Sequence, residues 1–139
     1  MTDAGLDLAQ IGRVESPLKD PGPAPKQGDE GAPETSLVFE PGMVEALKGI
    51  HSGEEVLVLT WLDRARRDVL TVHPRGDLSR PRQGVFSTRS PHRPNPIGLR
   101  RVEILSIEGA RVRVRNLEAV DGTPIIDVKP VLSGDAGER

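Results

Sequence analysis

Apolar residues along the chain fall in short runs, each closed off by glycine, proline or charge. Ile11 to Ser16 reads as a short strand that stops at the Ser16-Pro17 step, because a residue before proline is held extended. Ser36 to Glu40 reads as a second strand. Pro41 then opens a short helix, Met43 to Lys48, with Met43, Ala46 and Leu47 on one face and Gly49 in the left-handed position that follows a helix. Val56 to Leu62 is almost continuously apolar, which predicts a central strand covered on both faces. Val69 to Val72 reads as a further strand. Leu99 to Ile107 and Val112 to Leu117 read as a hairpin around Glu108-Gly109-Ala110, with Val112 and Val114 alternating against Arg111, Arg113 and Arg115. Asp121 to Pro124 is a turn, and Ile125 to Val128 a last strand.

These pieces predict a mainly β protein, a small antiparallel β-barrel of about seven strands with one short helix. A glycine-rich loop opening a long helix inside a βαβ unit is missing, so the pattern excludes a Rossmann-type nucleotide fold. Residues 1–10 read as a flexible tail, 11–132 as one domain and 133–139 as a polar tail. Between Lys19 and Pro33 the chain is dense in proline and glycine without apolar periodicity, and a structureless loop of that length is usually functional or disordered.

Composition narrows the chemistry. With no cysteine, neither a disulfide framework nor a thiolate metal site is possible, and no metal is expected. No apolar run reaches bilayer length and the Met1-Thr2-Asp3-Ala4 start lacks a basic leader, so a cytoplasmic protein is the expectation. The net charge of −2 hides an asymmetry. Residues 1–60 carry four Lys/Arg against eleven Asp/Glu, whereas residues 64–101 carry ten Arg against only Asp68 and Asp77. Arginine forks onto phosphates and carboxylates, so the middle of the chain points to an anionic partner.

One stretch stands apart, Gly84-Val85-Phe86-Ser87-Thr88-Arg89-Ser90-Pro91-His92-Arg93-Pro94-Asn95-Pro96-Ile97-Gly98-Leu99. Its prolines rule out a helix and a central strand, leaving a rigid loop. By composition alone this is a proline-rich surface connection with solvated arginines. Its order, however, closely resembles the G-V-F-A-T-R-S-P-x-R-P-N-P-I-G-L signature of the TsaA/TrmO family of S-adenosylmethionine-dependent methyltransferases, with Ser87 in place of alanine. Ile11-Gly12-x-Val14-x-Ser16-Pro17 resembles the family's I-G-x-[VI]-R-S-P. Leu117-x-x-Val120-Asp121-Gly122-Thr123-Pro124-Ile125-Ile126-Asp127-Val128-Lys129-Pro130 resembles its second long motif. Pro25-Lys26-Gln27-Gly28 is a shorter likeness to P-R-Q-P-G.

That resemblance implies a barrel that binds S-adenosyl-L-methionine and works as a homodimer, with the site near the subunit interface. It implies an N-methyltransferase whose acceptor is N6 of threonylcarbamoyladenosine beside the tRNA anticodon. By the same resemblance Gln27, Gly28, Trp61, Leu62, Arg89, Leu99, Asp121, Gly122, Thr123 and Pro124 are the cofactor residues, with Arg89 on the methionine carboxylate. Trp61-Leu62 stands where members often carry His-Gln, and Glu15 replaces an arginine. Arg93 and Asn95, braced by Pro91, Pro94 and Pro96, are the expected donors that position the acceptor or brace the dimer. His92 and His73 read as exposed histidines rather than bases. Aromatic residues for stacking on bases are nearly absent, so two alternatives stay open: a methyltransferase acting on a small-molecule or peptide nitrogen, and a non-catalytic binding module.

Overall fold

A computed structural model of the chain describes residues 5–19 and 34–132. Six strands close into an antiparallel barrel in the order β1-β2-β7-β6-β3-β8, with β8 returning to β1. They are β1 (Gly12–Glu15), β2 (Thr35–Phe39), β3 (Glu55–Trp61), β6 (Ile97–Glu108), β7 (Arg111–Arg115) and β8 (Pro124–Pro130). The core follows from a period of two: Val14, Leu37, Phe39, Val56, Val58, Val102, Ile104, Val112, Val114 and Ile125 all point inward and are buried. The expected mainly β, non-Rossmann barrel is the observed one.

Details differ where side-chain pattern alone misled. β3 pairs with both β6 and β8. It is nevertheless buried on one face only, since Val56, Val58 and Thr60 face the core while Leu57, Leu59 and Trp61 are half-buried. Its continuous apolar run therefore reflects an outer face that is itself apolar, not a second covering layer. The expected strand Val69–Val72 shrinks to β4 (Thr71–Val72), which pairs with β5 (Gln83–Gly84) in a two-stranded ribbon outside the barrel. The helix is a 3₁₀ helix, Pro41–Leu47, and Gly49 takes φ +91 as its sequence position required. Met43 and Leu47 pack from it onto the barrel core.

Gly98 of the signature is fixed by close packing across two strands. It pairs with Thr60, and a Cβ there would lie 2.5 Å from Thr60 Oγ1. On the outer surface the arginines of β7 are not free. Arg111 pairs with Glu15 at 2.6 Å, Arg113 with Glu34, and Arg115 with Glu103 at 3.6 Å. The cationic hairpin face read from the sequence is thus a belt of ion pairs.

Candidate functional site

Three segments meet beside the barrel: residues 62–68 leaving β3, residues 85–96 leading into β6, and residues 117–123 leading into β8. The first two are zipped together by backbone and side chain. Leu62 N–H donates to Pro96 O at 2.8 Å and Arg93 N–H to Arg66 O at 3.1 Å. Arg66 N–H donates to His92 Nδ1 at 3.0 Å. Arg67 donates from Nε to Pro94 O at 2.7 Å and from Nη2 to Asn95 Oδ1 at 3.0 Å, while its guanidinium lies 5.1 Å from the Trp61 ring centroid. A guanidinium over an indole is held by the ring quadrupole, so Arg67 ties the end of β3 to the proline-rich loop. Nothing in the sequence around Arg67 signals that role.

Arg93 closes the loop on itself. Its Nη1 donates to Thr88 O and Ser90 O, each at 3.0 Å, and its Nη2 to Val85 O at 3.0 Å. A fork committed to three carbonyls positions the loop, which differs from the expected donor aimed at an acceptor. Asn95 is exposed, accepts from Arg67 and keeps its amide nitrogen without a partner among the described residues. His92 accepts at Nδ1, so the neutral ring carries its proton on Nε2 and has no lone pair left for a base.

The third segment is pinned to the end of β1. Ser16 N–H donates to Asp121 Oδ1 at 2.9 Å and Lys19 Nζ to Asp121 Oδ2 at 2.9 Å. Asp121, Gly122 and Thr123 donate their own N–H groups to Leu18 O, Val14 O and Val120 O at 2.6, 2.7 and 3.1 Å. The Ser16 amide, then Lys19, hold the Asp121 carboxyl below the usual carboxylate range. The Asp121 carboxylate and the amides of Asp121, Gly122 and Thr123 are thus already engaged within the chain. What the segment presents is the shape of a fixed turn, with Gly122 at φ +87.

Two cavities lie on either side of this assembly and share Pro91 and His92 as a wall. The smaller, about 750 Å³, is bordered by Leu18, Leu62, Arg64, Glu118 and the Asp121–Thr123 turn. Its charged lining is Asp63, Glu118 and Asp121 against Arg64. The larger, about 1100 Å³, is bordered by Arg66, Arg75, Arg82 and Arg89, with no carboxylate among its described lining residues. Arg66 is balanced by Asp68 at 2.9 Å, and Arg82 is turned onto Thr71. Arg89 is exposed and has no partner among the described residues.

The sequence-predicted cofactor residues fall in separate places. Leu62, Asp121, Gly122 and Thr123 meet at the smaller cavity, with Pro124 following as the first residue of β8. Arg89 borders the larger one. Trp61 and Leu99 lie on the outer barrel face, where Trp61 pairs with Ile97 and Leu59 with Leu99. Gln27 and Gly28 lie outside the described residues. Leu18, Asp63, Arg64 and Glu118 are among the lining residues that sequence reading missed, since none of them stands at an assigned position of a motif.

A closed antiparallel barrel, with a small-ligand cavity built from loops and no βαβ unit among the described residues, defines a non-Rossmann ligand-binding barrel. Within that class the particular family is clear: the chain belongs to the family of the tRNA-methyltransferase O N-terminal domain, whose model matches residues 13–134. Among curated relatives, a probable S-adenosyl-L-methionine-binding protein of Methanothermobacter thermautotrophicus is 44% identical over 130 residues, covering 94% of this chain and 93% of the relative. A probable S-adenosyl-L-methionine-binding protein of Archaeoglobus fulgidus is 45% identical over 128 residues, 92% of this chain but 34% of the relative. The barrel matches the crystal structure of TrmO from Pseudomonas aeruginosa with a TM-score of 0.73 at 30% identity, covering 99% of this chain and 60% of that one. The chain thus spans about a third of that A. fulgidus relative and three fifths of the solved chain.

Proposed function

We propose that this chain is an S-adenosyl-L-methionine-dependent N-methyltransferase, with N6 of threonylcarbamoyladenosine beside the tRNA anticodon as the acceptor. The observation that carries the reading is the pair of adjoining cavities of opposite charge. The smaller has a volume within the roughly 300–1,000 Å³ of small-ligand sites. Its acidic lining suits a sulfonium cofactor, and the names of the relatives point the same way. The larger, bordered by arginines, suits a phosphate-bearing acceptor, as does membership of a family described by tRNA methylation.

When bound, the cofactor supplies an electrophilic methyl group, and the carbon–sulfur bond breaks as the carbon–nitrogen bond forms. The chain's task is to align donor and acceptor and to keep water out. Leu62 and the Asp121–Thr123 turn wall the cofactor cavity, with Pro124 following the turn as the first residue of β8. The zipped 62–66 and 92–96 segments hold the shared wall rigid, and Arg93 and Arg67 are positioning residues for it. Asn95, whose amide nitrogen has no partner among the described residues, is the donor left to meet the acceptor, although it lines neither cavity. A carbamoyl-flanked N6–H is acidic for an exocyclic amine, so its proton needs no dedicated base and is lost to solvent as the methylated product leaves, in keeping with a His92 that has no lone pair to spare.

Trp61, Leu99 and Arg89 do not reach the smaller cavity within one chain. A homodimer that sets the outer face of one protomer against the cavity of the other brings Trp61 and Leu99 to it. Ile97 and Leu99, 41% and 43% exposed on that face, supply apolar area for such an interface.

The test is to incubate the protein with methyl-labelled cofactor and either total tRNA or a metabolite pool. Label in threonylcarbamoyladenosine-containing tRNA, lost in Arg89→Ala, is expected. Label in the metabolite pool alone would favour the small-molecule reading, and full activity of Arg89→Ala would remove the cofactor role of that residue.

A further inference from the structure

The chain has two phenylalanines, one tryptophan and no tyrosine. Phe39 is buried in the barrel core, and Trp61 is half-buried with Arg67 over its ring. Phe86 is 83% exposed. A lone apolar side chain on a convex surface needs no explanation. Phe86 differs because it stands on the wall of the larger cavity, together with Leu78, another exposed apolar residue. Its backbone is also held firmly. Val85 before it is buried, and Val85 N–H donates to Leu70 O at 2.9 Å. Val85 O accepts from the Thr88 amide, the Thr88 hydroxyl and Arg93 Nη2, each at 3.0 Å. On the other side the Ser87 hydroxyl donates to Gly84 O at 2.8 Å. The single 3₁₀ turn Val85–Ser87 thus presents the ring from a fixed base.

The charge around that ring is of one sign. The nearest acids in sequence, Asp68 and Asp77, do not line the cavity: one is held by Arg66, the other by the amide and hydroxyl of Ser79. Arg75 lines it and has no partner among the described residues. Its backbone is held at φ 53, ψ 26, a left-handed conformation uncommon for a residue with a side chain.

We infer that Phe86 is a stacking platform for one unpaired base of the tRNA anticodon loop, with Arg75 meeting a phosphate of the same strand, an inference that rests on the tRNA reading above. Loop bases of RNA are held flat on aromatic rings while cations take the backbone, and a ring inside a cationic hollow suits that pairing. An acidic peptide would satisfy Arg75 but leave the ring without a planar partner. Scarcity of aromatic residues is no obstacle here, because one fixed ring is enough to hold one base.

The test measures binding of the full chain to an anticodon stem-loop containing threonylcarbamoyladenosine, to a fully paired duplex, and to stem-loops made abasic at one loop position at a time. Phe86→Ala is expected to weaken the intact stem-loop about tenfold without changing its salt slope, and Phe86→Trp to keep the affinity within about twofold. At one abasic position wild type is expected to fall to the level of Phe86→Ala, and the substitution then costs nothing more. Melting temperature and sedimentation of Phe86→Ala are expected to match wild type, since the ring lies in solvent. Unchanged affinity in Phe86→Ala, an equal loss on the duplex, or a full loss at every abasic position would each overturn the inference. A lower melting temperature of Phe86→Ala, or a shift in its sedimentation, would overturn it too, by showing that the ring packs within the chain or against a second copy. Wild type that binds no stem-loop would instead overturn the tRNA reading, and Phe86 with it.

Discussion

At the scale of single residues, the proline-rich loop divides into groups that hold it and groups that face outward. Arg93 holds. Removing its guanidinium leaves the carbonyls of Val85, Thr88 and Ser90 without their donor. Arg93→Ala is expected to cost about 2–3 kcal/mol in urea unfolding, with faster amide exchange over 85–93, whereas Asn95→Ala leaves stability within about 1 kcal/mol and lowers turnover. Equal stability losses in the two variants would show that Arg93 is not the brace. The sequence made this loop visible as a unit but did not say which way each donor turns. The difference between a free arginine and a committed one lies in which carbonyls fold back to meet it, and no local pattern encodes that.

At the scale of elements, the strands were legible because period-two burial writes itself directly into the sequence, as in Val112 and Val114 of β7. The β4–β5 ribbon was not, since it is short, has little buried apolar surface and is tied by Arg82 to Thr71 rather than by core packing. The signature glycine was visible as a motif and is now explained as a packing constraint. Gly98→Ala is expected to destabilise the barrel by about 1–3 kcal/mol, measured by chemical denaturation, because buried Thr60 has no room to retreat.

Four carboxylates are held below their ordinary range, two of them, Glu15 and Asp121, by partners on distant segments. These are Glu15 by the Arg111 hydrogen bond, Asp68 by Arg66, Asp77 by Ser79 and Asp121 by the Ser16 amide. A carboxyl whose folded pKa is depressed stabilises the fold above its unfolded pKa, and that stabilisation is lost as pH falls through the folded pKa. The melting temperature should therefore be flat at neutral pH and decline through the acid range. Asp121→Asn should flatten part of that decline. An unchanged profile in this variant would show that the strap at Asp121 does not contribute.

At the scale of the whole molecule, the charge asymmetry along the chain proved informative in its position and misleading in its extent. The Arg111, Arg113 and Arg115 face is paired with glutamates, whereas Arg75 and Arg89 at the larger cavity are not paired among the described residues. If that cavity receives phosphates, Arg75→Ala should lower the slope of log K against log salt for an anticodon stem-loop by about 1, and Arg111→Ala should leave it unchanged. The family was legible because its motifs encode loops and close approaches. The assembly of the site was not, because Leu62, Arg89 and Leu99 are brought to different surfaces of one chain.

The closure of the barrel has a further consequence for how this molecule meets others. With β8 hydrogen-bonded back to β1 at Ile125 and Pro124, the six barrel strands form a ring rather than an open sheet, while β8 beyond Ile125 has no β1 partner and residues 97–102 of β6 have no β7 partner. Strand addition is thereby confined to those partial edges and to the short β4–β5 ribbon. Most of the surface a partner meets is side chains and loops, so the choice of partner is written largely in residues that can change while the hydrogen-bonded frame stays as it is.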